Sequence, residues 1–484
     1  MKLRTKWGAL ATAAILATTL APTAALADVA ASSVNITGLE KGDTVTAYQV
    51  FDADVDASNQ VTYTAASGLP EAYDTIDELS ALTTDAQKKA AADAYAAAFS
   101  AGTATGVKTA VTGTAGEDGK AALSLDSGYW VVVVTSTSGK TKVYQATTID
   151  ATPVVKDGAY AAATLSDTTP KSEPVDITKT VQDKTTQQYG ESTDTWTVGD
   201  LVPFKVNTNV PSYPANSKDA TFTIGDTPAA GLEVQTSTIK VTVGGQTVYE
   251  NGAATDATAF KADGITTSIS GYTFNFTKEF VLAHPGQAVE VTYQAKLTSA
   301  VDAVAGTTSN TATITFNPNP YSDSTVTPDD TTNEKTYGYD FKKVDSKSAA
   351  LQGAVFTLYQ DGKEVKDADG NAVTATSDAN GWVTFKGLGA GTYTAKETTV
   401  PAGKQKCADV EFTVSATDST KDGRATDNVT ETNFSNGQDV TDADRGLLPS
   451  TGEAGTMALT VGGVGLLAVG VAVLVHSRKN SEQA

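Results

Sequence analysis

The sequence is poor in the side chains from which most catalytic and metal sites are built. Its 484 residues include one cysteine, Cys407, and two histidines, His284 and His476. A lone thiol excludes an internal disulfide, and two distant histidines leave almost no material for a catalytic triad or a histidine-rich metal site. Paired carboxylates remain available because acidic residues are abundant. We expect no metal, no cofactor and no enzyme acting on other molecules.

Basic residues are also scarce. Lysine and arginine number 35 against 56 aspartates and glutamates, which gives a formal net charge of −21. No basic cluster precedes the C-terminal tail, so the charge pattern argues against a nucleic-acid partner and fits a soluble surface protein.

Residues 1–27 have the pattern of a secretory signal peptide. Lys2, Arg4 and Lys6 precede an apolar run that ends at the small-residue site Ala25-Leu26-Ala27. The mature chain is therefore expected to begin near Asp28 and to function outside the cell.

Residues 448–484 combine a short motif, an apolar segment and a basic end. The apolar segment 454–475 has about 20 uncharged residues, enough to cross a bilayer as a helix, and Arg478 and Lys479 follow it. The motif in front of it is Leu448-Pro449-Ser450-Thr451-Gly452. This layout resembles the cell-wall sorting signal of Gram-positive surface proteins, which implies cleavage by a sortase between Thr451 and Gly452. An ordinary C-terminal anchor behind a chance motif is the alternative.

Between these ends the sequence predicts a mainly β protein of three tandem β-sandwich, Ig-like domains. The first, 28–170, has one helical insertion: Thr84 and Gln87 form a capping box, an alanine-rich run follows to Phe99, and Gly102 ends it. Trp130 to Val134 indicates a fully buried strand.

Two proline-containing linkers set the other domain boundaries. The middle domain is predicted over 171–331, with a two-residue hairpin turn at Gly244-Gly245. The last domain is predicted over 335–434, and 435–447 is predicted to be a flexible tether because it lacks apolar periodicity. Asp367 to Asn371 could open a calcium loop, but the sixth position is Ala372 instead of glycine and the twelfth is Asp378 instead of glutamate, so the segment indicates a turn.

Three polar side chains of the middle domain fall on inward strand faces by the period of two. Lys179 lies between Ile177 and Val181, and Asn310 and Asp226 alternate with apolar neighbours in the same way. Burial would lower the pKa of the lysine and raise that of the acid, which is what formation of a Lys-Asn isopeptide bond requires. A buried Lys-Asp ion pair beside a hydrogen-bonded asparagine explains the residue types equally well.

A resemblance favours the first interpretation. The runs Asp176 to Val181, Ile224 to Pro228 and Ser309 to Ala312 are similar to strands of sortase-assembled major pilins. The resemblance implies a CnaA-type middle domain in which Lys179 bonds Asn310 and Asp226 catalyses the reaction.

The last domain is similar to the CnaB type, in its first strand around Lys343 and in an E-box around Glu397. The resemblance implies a second bond from Lys343, catalysed by Glu397. Asn433 is the predicted partner, with Asn428 and Asn436 as alternatives. The sequence departs from the family at Lys404, where an aromatic residue is usual.

The resemblance also implies a lysine that attacks the acyl-enzyme made at Thr451 of another subunit. Pro170-Lys171 occupies the family position without its tyrosine, and Lys156 is the alternative. The predicted function is a wall-anchored fimbrial shaft subunit. Its expected partners are sortase, other copies of the chain, peptidoglycan directly or through a base pilin, and host or bacterial surface ligands. A monomeric wall-anchored adhesin is the alternative.

Overall fold

The computed structural model describes residues 29–136, 142–191, 194–301, 307–414 and 434–445. These residues form three β-rich units in chain order. The predicted signal peptide and sorting signal, with Thr451 and the apolar segment 454–475, lie outside the described residues. Within the described ranges no helix is long and apolar enough to cross a membrane.

The first unit packs a helix against an antiparallel sheet of order β3-β2-β6-β8, and β1 pairs separately with β5. Its helices are α1 (Ile76–Ser80) and α2 (Asp85–Ser100), with a 3-10 turn at Glu71–Tyr73. Its strands are β1 (Ser32–Ile36), β2 (Thr44–Val55), β3 (Val61–Ala65), β4 (Val111–Thr114), β5 (Ala121–Leu125), β6 (Gly128–Thr135), β7 (Lys142–Tyr144), β8 (Thr147–Asp150), β9 (Val154–Lys156) and β10 (Ala159–Ala161).

Helix α2 is the predicted insertion, and its start is the predicted capping box. The Thr84 hydroxyl accepts a hydrogen bond from Gln87 N at 3.2 Å, and the Gln87 side chain accepts one from Thr84 N at 3.0 Å. Tyr95 and Phe99 of this helix are buried in one core cluster with Val131 of β6. The helical insertion therefore covers one face of the sheet.

The middle unit is a sandwich of two antiparallel sheets. One has the order β13-β12-β14-β22-β17-β18-β19 with β16 beside β22, and the other has the order β20-β21-β15-β23-β24. A 3-10 turn at Thr236–Thr238 and α3 (Lys278–Ala283) complete it. Its strands are β12 (Thr178–Gln182), β13 (Tyr189–Gly190), β14 (Leu201–Asn209), β15 (Phe222–Pro228), β16 (Leu232–Val234), β17 (Lys240–Val243), β18 (Gln246–Glu250), β19 (Ala253–Ala254), β20 (Phe260–Ser268), β21 (Gly271–Phe276), β22 (Ala288–Leu297), β23 (Thr307–Phe316) and β24 (Asp329–Lys335).

Strand alternation produces this sandwich. Along β22 and β23 every second residue is buried, as the period-two pattern predicted. The Gly244-Gly245 turn joins β17 to β18 with φ angles of 56° and 80°, which suit a tight two-residue hairpin. Strand β11 (Ser172–Pro174), at the predicted boundary, pairs with β7 of the first unit.

The last unit also has two sheets, of order β29-β25-β32 and β27-β26-β30-β31. Strand β28 pairs with β26, and β33 pairs with β25. The strands are β25 (Tyr337–Asp345), β26 (Val355–Gln360), β27 (Lys363–Glu364), β28 (Thr374–Thr376), β29 (Trp382–Leu388), β30 (Gly391–Thr399), β31 (Val410–Val414), β32 (Phe434–Asn436) and β33 (Val440–Asp442).

The end of this unit differs from the sequence expectation. The segment 435–447 lacks apolar periodicity, yet β33 within it runs parallel to β25, with Val440 beside Lys343. Main-chain pairing to an existing strand needs no apolar repeat in the added strand. Part of the expected tether therefore belongs to the folded unit.

Hydrogen bonds join neighbouring units. Tyr321 donates to Asp93 Oδ1 of α2 at 2.7 Å, which links the middle unit to the first. At the other end Val198 N donates to Gly387 O at 2.8 Å, and the hydroxyls of Thr197 and Tyr393 lie 3.0 Å apart. Each unit is thus held to the next by buried polar contacts.

The fold predicts unequal effects for two alanine substitutions in the middle unit. Gly271 and Gly252 both have positive φ, 128° and 80°. A Cβ at Gly271 would lie 2.1 Å from Asp226 O, whereas one at Gly252 meets no atom within 4 Å. We expect Gly252→Ala to cost about 1 kcal/mol for its φ alone and Gly271→Ala to cost about 1 to 3 kcal/mol more. Denaturant unfolding checks this; equal losses would contradict it.

Candidate functional site

The first candidate site lies between the two sheets of the middle unit. Lys179 comes from β12 of one sheet, and Asp226 on β15 and Asn310 on β23 come from the other. In the β15–β23 register Asn310 pairs with Pro228 and Ala312 pairs with Asp226, so the two side chains are diagonal neighbours on one face. The structure thus brings together the three residues that alternation placed inward.

A tyrosine hydroxyl connects these three side chains. Lys179 Nζ contacts Asp226 and donates to Tyr293 OH at 2.6 Å. Tyr293 OH donates to Asp226 Oδ1 at 2.9 Å and accepts from Asn310 Nδ2 at 2.8 Å. Asn310 Oδ1 is buried and accepts no hydrogen bond from any residue that the structure describes. The amide oxygen is therefore the one polar atom of this set left without a donor.

Burial controls the protonation of this site. The side chains of Lys179 and Asp226 are 0% exposed. Desolvation lowers the pKa of Lys179 and raises the pKa of Asp226, although the charge of each opposes the shift of the other. The same desolvation raises the pKa of Tyr293 well above its usual value. Desolvation therefore shifts the amine, the acid and the phenol toward their neutral forms.

Sequence reasoning missed two residues near this site. Alternation placed Tyr293 inward on β22, but nothing in the pattern marked its hydroxyl as the link between the other groups. Glu334 lies on β24, in a stretch whose threonine, aspartate and proline content indicated a linker. It is 2% exposed, and its charge acts on Lys179. Pairing of β24 with β23 could have been expected only from the threonine-rich alternation on both strands.

The second candidate site lies in the last unit. Lys343 on β25 contacts Asp442 of β33, and Lys343 Nζ lies 3.7 Å from Glu397 Oε1 of β30. All three side chains are 0% exposed. Glu397 Oε2 accepts a hydrogen bond from Cys407 N at 3.0 Å, and desolvation raises the pKa of Glu397. One amine and two carboxyl groups therefore share a dry pocket.

Three asparagines were predicted as candidate partners of Lys343, and one of them, Asn436, lies within the described residues. Asn433 and its alternative Asn428 lie outside the described residues. The alternative Asn436 is on β32, where its backbone pairs with Asp340 and not with Lys343. Sequence reasoning missed Asp442 because it falls in the expected tether.

The same acids could be considered for a metal ion. Glu397, Cys407 and Asp442 offer ligand atoms within 4.8 Å of one another. The Lys343 ammonium already contacts Asp442, and burial raises the pKa of the Cys407 thiol to about 12, so the thiolate that a soft metal prefers is disfavoured. The donor set suits an amine better than a metal ion.

The two candidate polymerising lysines both lie at exposed positions of the first unit's C-terminal region. Lys171 follows the buried Pro170, and its carbonyl accepts a hydrogen bond from Gln145 N at 2.8 Å. Lys156 ends β9 of a two-stranded hairpin whose turn, Asp157-Gly158, has φ angles of 53° and 82°. The backbone at Lys171 is thus hydrogen-bonded next to the two-stranded sheet that β11 forms with β7, whereas Lys156 lies on a separate two-stranded hairpin.

Two other residues have plain structural settings. His284 follows helix α3, and its ring stacks on Phe280 with centroids 4.0 Å apart. Asp367 Oδ1 accepts hydrogen bonds from the backbone N of Asp369 and Asn371, so this segment is the predicted turn.

Comparison with known proteins gives matches to two families and to solved structures. Residues 338–430 match the SpaA prealbumin-like fold domain, and residues 445–482 match the LPXTG cell wall anchor motif. The T6 backbone pilin of Streptococcus pyogenes is similar with a TM-score of 0.62 and 18% identity, over 80% of this chain and 81% of that one. The chain has the fold of a Gram-positive backbone pilin.

A second structure of the same kind supports this assignment. The major pilin SpaD of Corynebacterium diphtheriae matches with a TM-score of 0.50 and 17% identity, over 88% of this chain and all of that one. Curated proteins give no match. The backbone-pilin fold thus extends over most of the chain, and its C-terminus carries a cell wall anchor motif.

Glu334 predicts a pH dependence of stability. Burial raises its pKa from 4.5 to about 7, so the folded state binds a proton that the unfolded state releases between these values. The free energy of unfolding should therefore fall as pH rises from about 5 to 7, by about 2 to 3 kcal/mol from this group. Glu334→Gln should lose that dependence and unfold at a higher temperature than the parent at pH 8. Parallel curves for the two proteins from pH 5 to 8 would contradict it.

Proposed function

We propose that this protein is the major structural subunit of a covalently polymerised surface pilus. The single observation that carries the proposal is the backbone-pilin fold over most of the chain together with the LPXTG anchor motif at its end. Adhesion is the role of such a fibre, and surface molecules of host or neighbouring bacterial cells are its targets.

Polymerisation in this proposal joins Thr451 of one subunit to Lys171 of another. A sortase cysteine attacks the Thr451 carbonyl and releases the chain from Gly452 onward. The Lys171 amine then displaces the cysteine thiol, so an amide replaces the thioester. The last subunit is transferred in the same way to peptidoglycan or to a base pilin.

Exposure and backbone order support Lys171 as the acceptor. The residue is exposed, yet its carbonyl and the adjacent β11 are bound to the first unit's β7 segment. An amine on a fixed backbone loses less conformational freedom when it enters an enzyme site than one on a mobile segment. Lys156 is equally exposed, so the experiment below tests both.

The middle unit supplies an internal tie in the same proposal. The neutral Lys179 amine attacks the Asn310 side-chain carbonyl, whose oxygen is stabilised by the protonated Asp226, and a new C–N bond forms. Asp226 passes its proton to the leaving nitrogen and takes one proton from the attacking nitrogen, and ammonia departs as the original C–N bond breaks. Tyr293 OH hydrogen-bonds to the lysine, the acid and the amide, and so holds the three groups around one hydroxyl. The tie would close the chain from Lys179 to Asn310 (310 − 179 = 131 residues).

If this tie forms, the chain should have a mass below that of its sequence. Removal of the tie should make the chain sensitive to protease. The chain should lack about 17 Da of ammonia at this site, and Asp226→Ala should restore it, while the exposed Asp219→Ala should not. Lys179→Ala should lower stability by about 4 to 5 kcal/mol on a loop-closure estimate and become sensitive to protease. Peptide mass spectrometry and limited proteolysis measure both. A linear Lys179 peptide in the parent protein would contradict the tie.

Polymerisation predicts a ladder of covalent multimers on denaturing gels. Lys171→Arg keeps the positive charge but removes the nucleophile, because guanidinium stays protonated. The ladder should disappear while the monomer still reaches the wall, and Lys156→Arg should leave the ladder intact.

Three outcomes separate the alternatives. A ladder that persists in Lys171→Arg and disappears in Lys156→Arg would move the acceptor to Lys156. Loss only in a Thr451 variant would indicate another lysine. No ladder from the parent protein would favour a monomeric wall-anchored adhesin.

A further inference from the structure

Three buried polar atoms at the candidate site of the middle unit have no hydrogen-bond partner within the described part of the chain. They are Asn310 Oδ1, Thr332 Oγ1 and Glu334 Oε1. Asn310 lies on β23, and the other two residues lie on β24, which pairs with β23. A buried polar atom without a partner is costly, so three such atoms on two neighbouring strands indicate that one donor is missing.

The register of β23 and β24 makes these three side chains neighbours. Asn310 lies directly opposite Thr332, and Glu334 lies opposite Thr308. Residues directly opposite in an antiparallel pair have Cβ atoms about 5 Å apart, and diagonal residues stay within reach of long side chains. Alternation along β24 directs Thr332 and Glu334 to the same face, where Glu334 is 2% exposed. Thr332 is therefore the shared neighbour of the amide and the acid.

We propose that Thr332 and Glu334 form a proton-controlled donor for the Asn310 carbonyl oxygen during formation of the Lys179–Asn310 tie. In its protonated form Glu334 Oε1 donates to Thr332 Oγ1, and the Thr332 hydroxyl donates to Asn310 Oδ1. An ionised Glu334 accepts the hydrogen bond of the hydroxyl instead and leaves the Asn310 oxygen without it. This inference rests on the proposed tie and adds the residues that control its rate.

The donor acts where negative charge develops. When the Lys179 amine attacks, the Asn310 oxygen gains charge in a site without water, and a hydrogen bond aimed at that oxygen lowers the barrier. A carbonyl oxygen has two lone pairs, so Thr332 acts beside Asp226 and does not replace it. Thr332 and Glu334 end the reaction with the protons they began with. Thr332 is the group that touches the reacting atom, and Glu334 is a positioning residue that acts through it.

The surroundings of Glu334 let it carry a proton near neutral pH. Burial raises its pKa to about 7. The positive charge of Lys179 on β12 and the Thr332 side chain oppose this rise, and the negative charge of Asp194 adds to it. Glu334 therefore changes from mainly protonated to mainly ionised between pH 6 and pH 8.

Ionisation of Glu334 also acts on the attacking amine. Its negative charge raises the pKa of Lys179, in the same direction as the charges of Asp226 and Asp330. An ionised Glu334 thus favours the ammonium form, which is not a nucleophile. Loss of the donor and retention of the ammonium proton both oppose bond formation.

The rate of tie formation tests the donor. The full chain is isolated from inclusion bodies as unfolded, unlinked protein, refolded in detergent at pH 6 or pH 8, and stopped at intervals. Peptide mass spectrometry then gives the fraction of chains in which Lys179 is joined to Asn310. Thr332→Val should slow the joining at pH 6 by at least about tenfold, since loss of one such donor in an enzyme costs about 10² to 10³ in rate. Thr332→Ser should keep the parent rate, as should Thr331→Val on the exposed face of β24.

A pH profile separates this role from a structural one. Glu334→Gln keeps a donor beside Thr332 at every pH, whereas the parent loses about nine-tenths of its protonated acid between pH 6 and pH 8. The ratio of the variant rate to the parent rate should therefore rise about tenfold over this range. Lys179 and Asp226 are present in both proteins, so the ratio isolates the effect of Glu334.

The outcomes distinguish this proposal from the tie and from the shaft function. A parental rate in folded Thr332→Val, or parallel pH profiles for the parent and Glu334→Gln, would overturn the donor and leave the tie standing. If Thr332→Val does not fold, the pH comparison decides alone. A Lys179 that stays unjoined in the refolded parent at both pH values would overturn the tie and the donor together, while the multimer ladder reports polymerisation separately.

Discussion

Desolvation of a lysine amine is the constraint on which both candidate sites depend. An ammonium group inside a β-sandwich core loses its hydration, and each of the two sandwiches compensates with a carboxylate in direct contact. In the middle unit the same loss of water lowers the pKa of Lys179 and raises the pKa of Asp226, which favours a nucleophilic amine and an acid able to donate a proton. Structural cost and chemical reactivity therefore have one cause, and a covalent amide removes the cost by removing the charges.

The positions of the strands determine which of these groups meet. In the middle unit the amine and the acid come from opposite sheets, so they meet only because the sheets pack face to face. In the last unit the amine and Asp442 come from neighbouring parallel strands. Tyr293 and Glu397 then add a group that can move or position a proton. Two different strand arrangements thus bring together a similar set of groups: a lysine amine, a carboxyl group and a third polar side chain.

Period-two alternation and turn chemistry account for what the sequence could predict. They placed Lys179, Asp226 and Asn310 inward, and the structure brings these residues into contact through Tyr293. They also predicted the capping box of α2 and the Gly244-Gly245 hairpin, which are confirmed. These two signals did not predict strands that form because their backbone pairs with a neighbouring strand. Strands β24 and β33 are polar and lack apolar repeats, so the sequence predicts a linker at Glu334 and a tether at Asp442.

The parallel pairing of β25 and β33 has a mechanical consequence. Strand β25 begins the last unit at Tyr337, and β33 ends its described part near Asp442, so a pull on the two ends of the unit draws adjacent strands past each other. In this geometry the hydrogen bonds between the strands are stretched together in shear, whereas a hairpin pulled at its open end separates one bond at a time. The last unit should therefore resist tension between its two ends through backbone hydrogen bonds that break together.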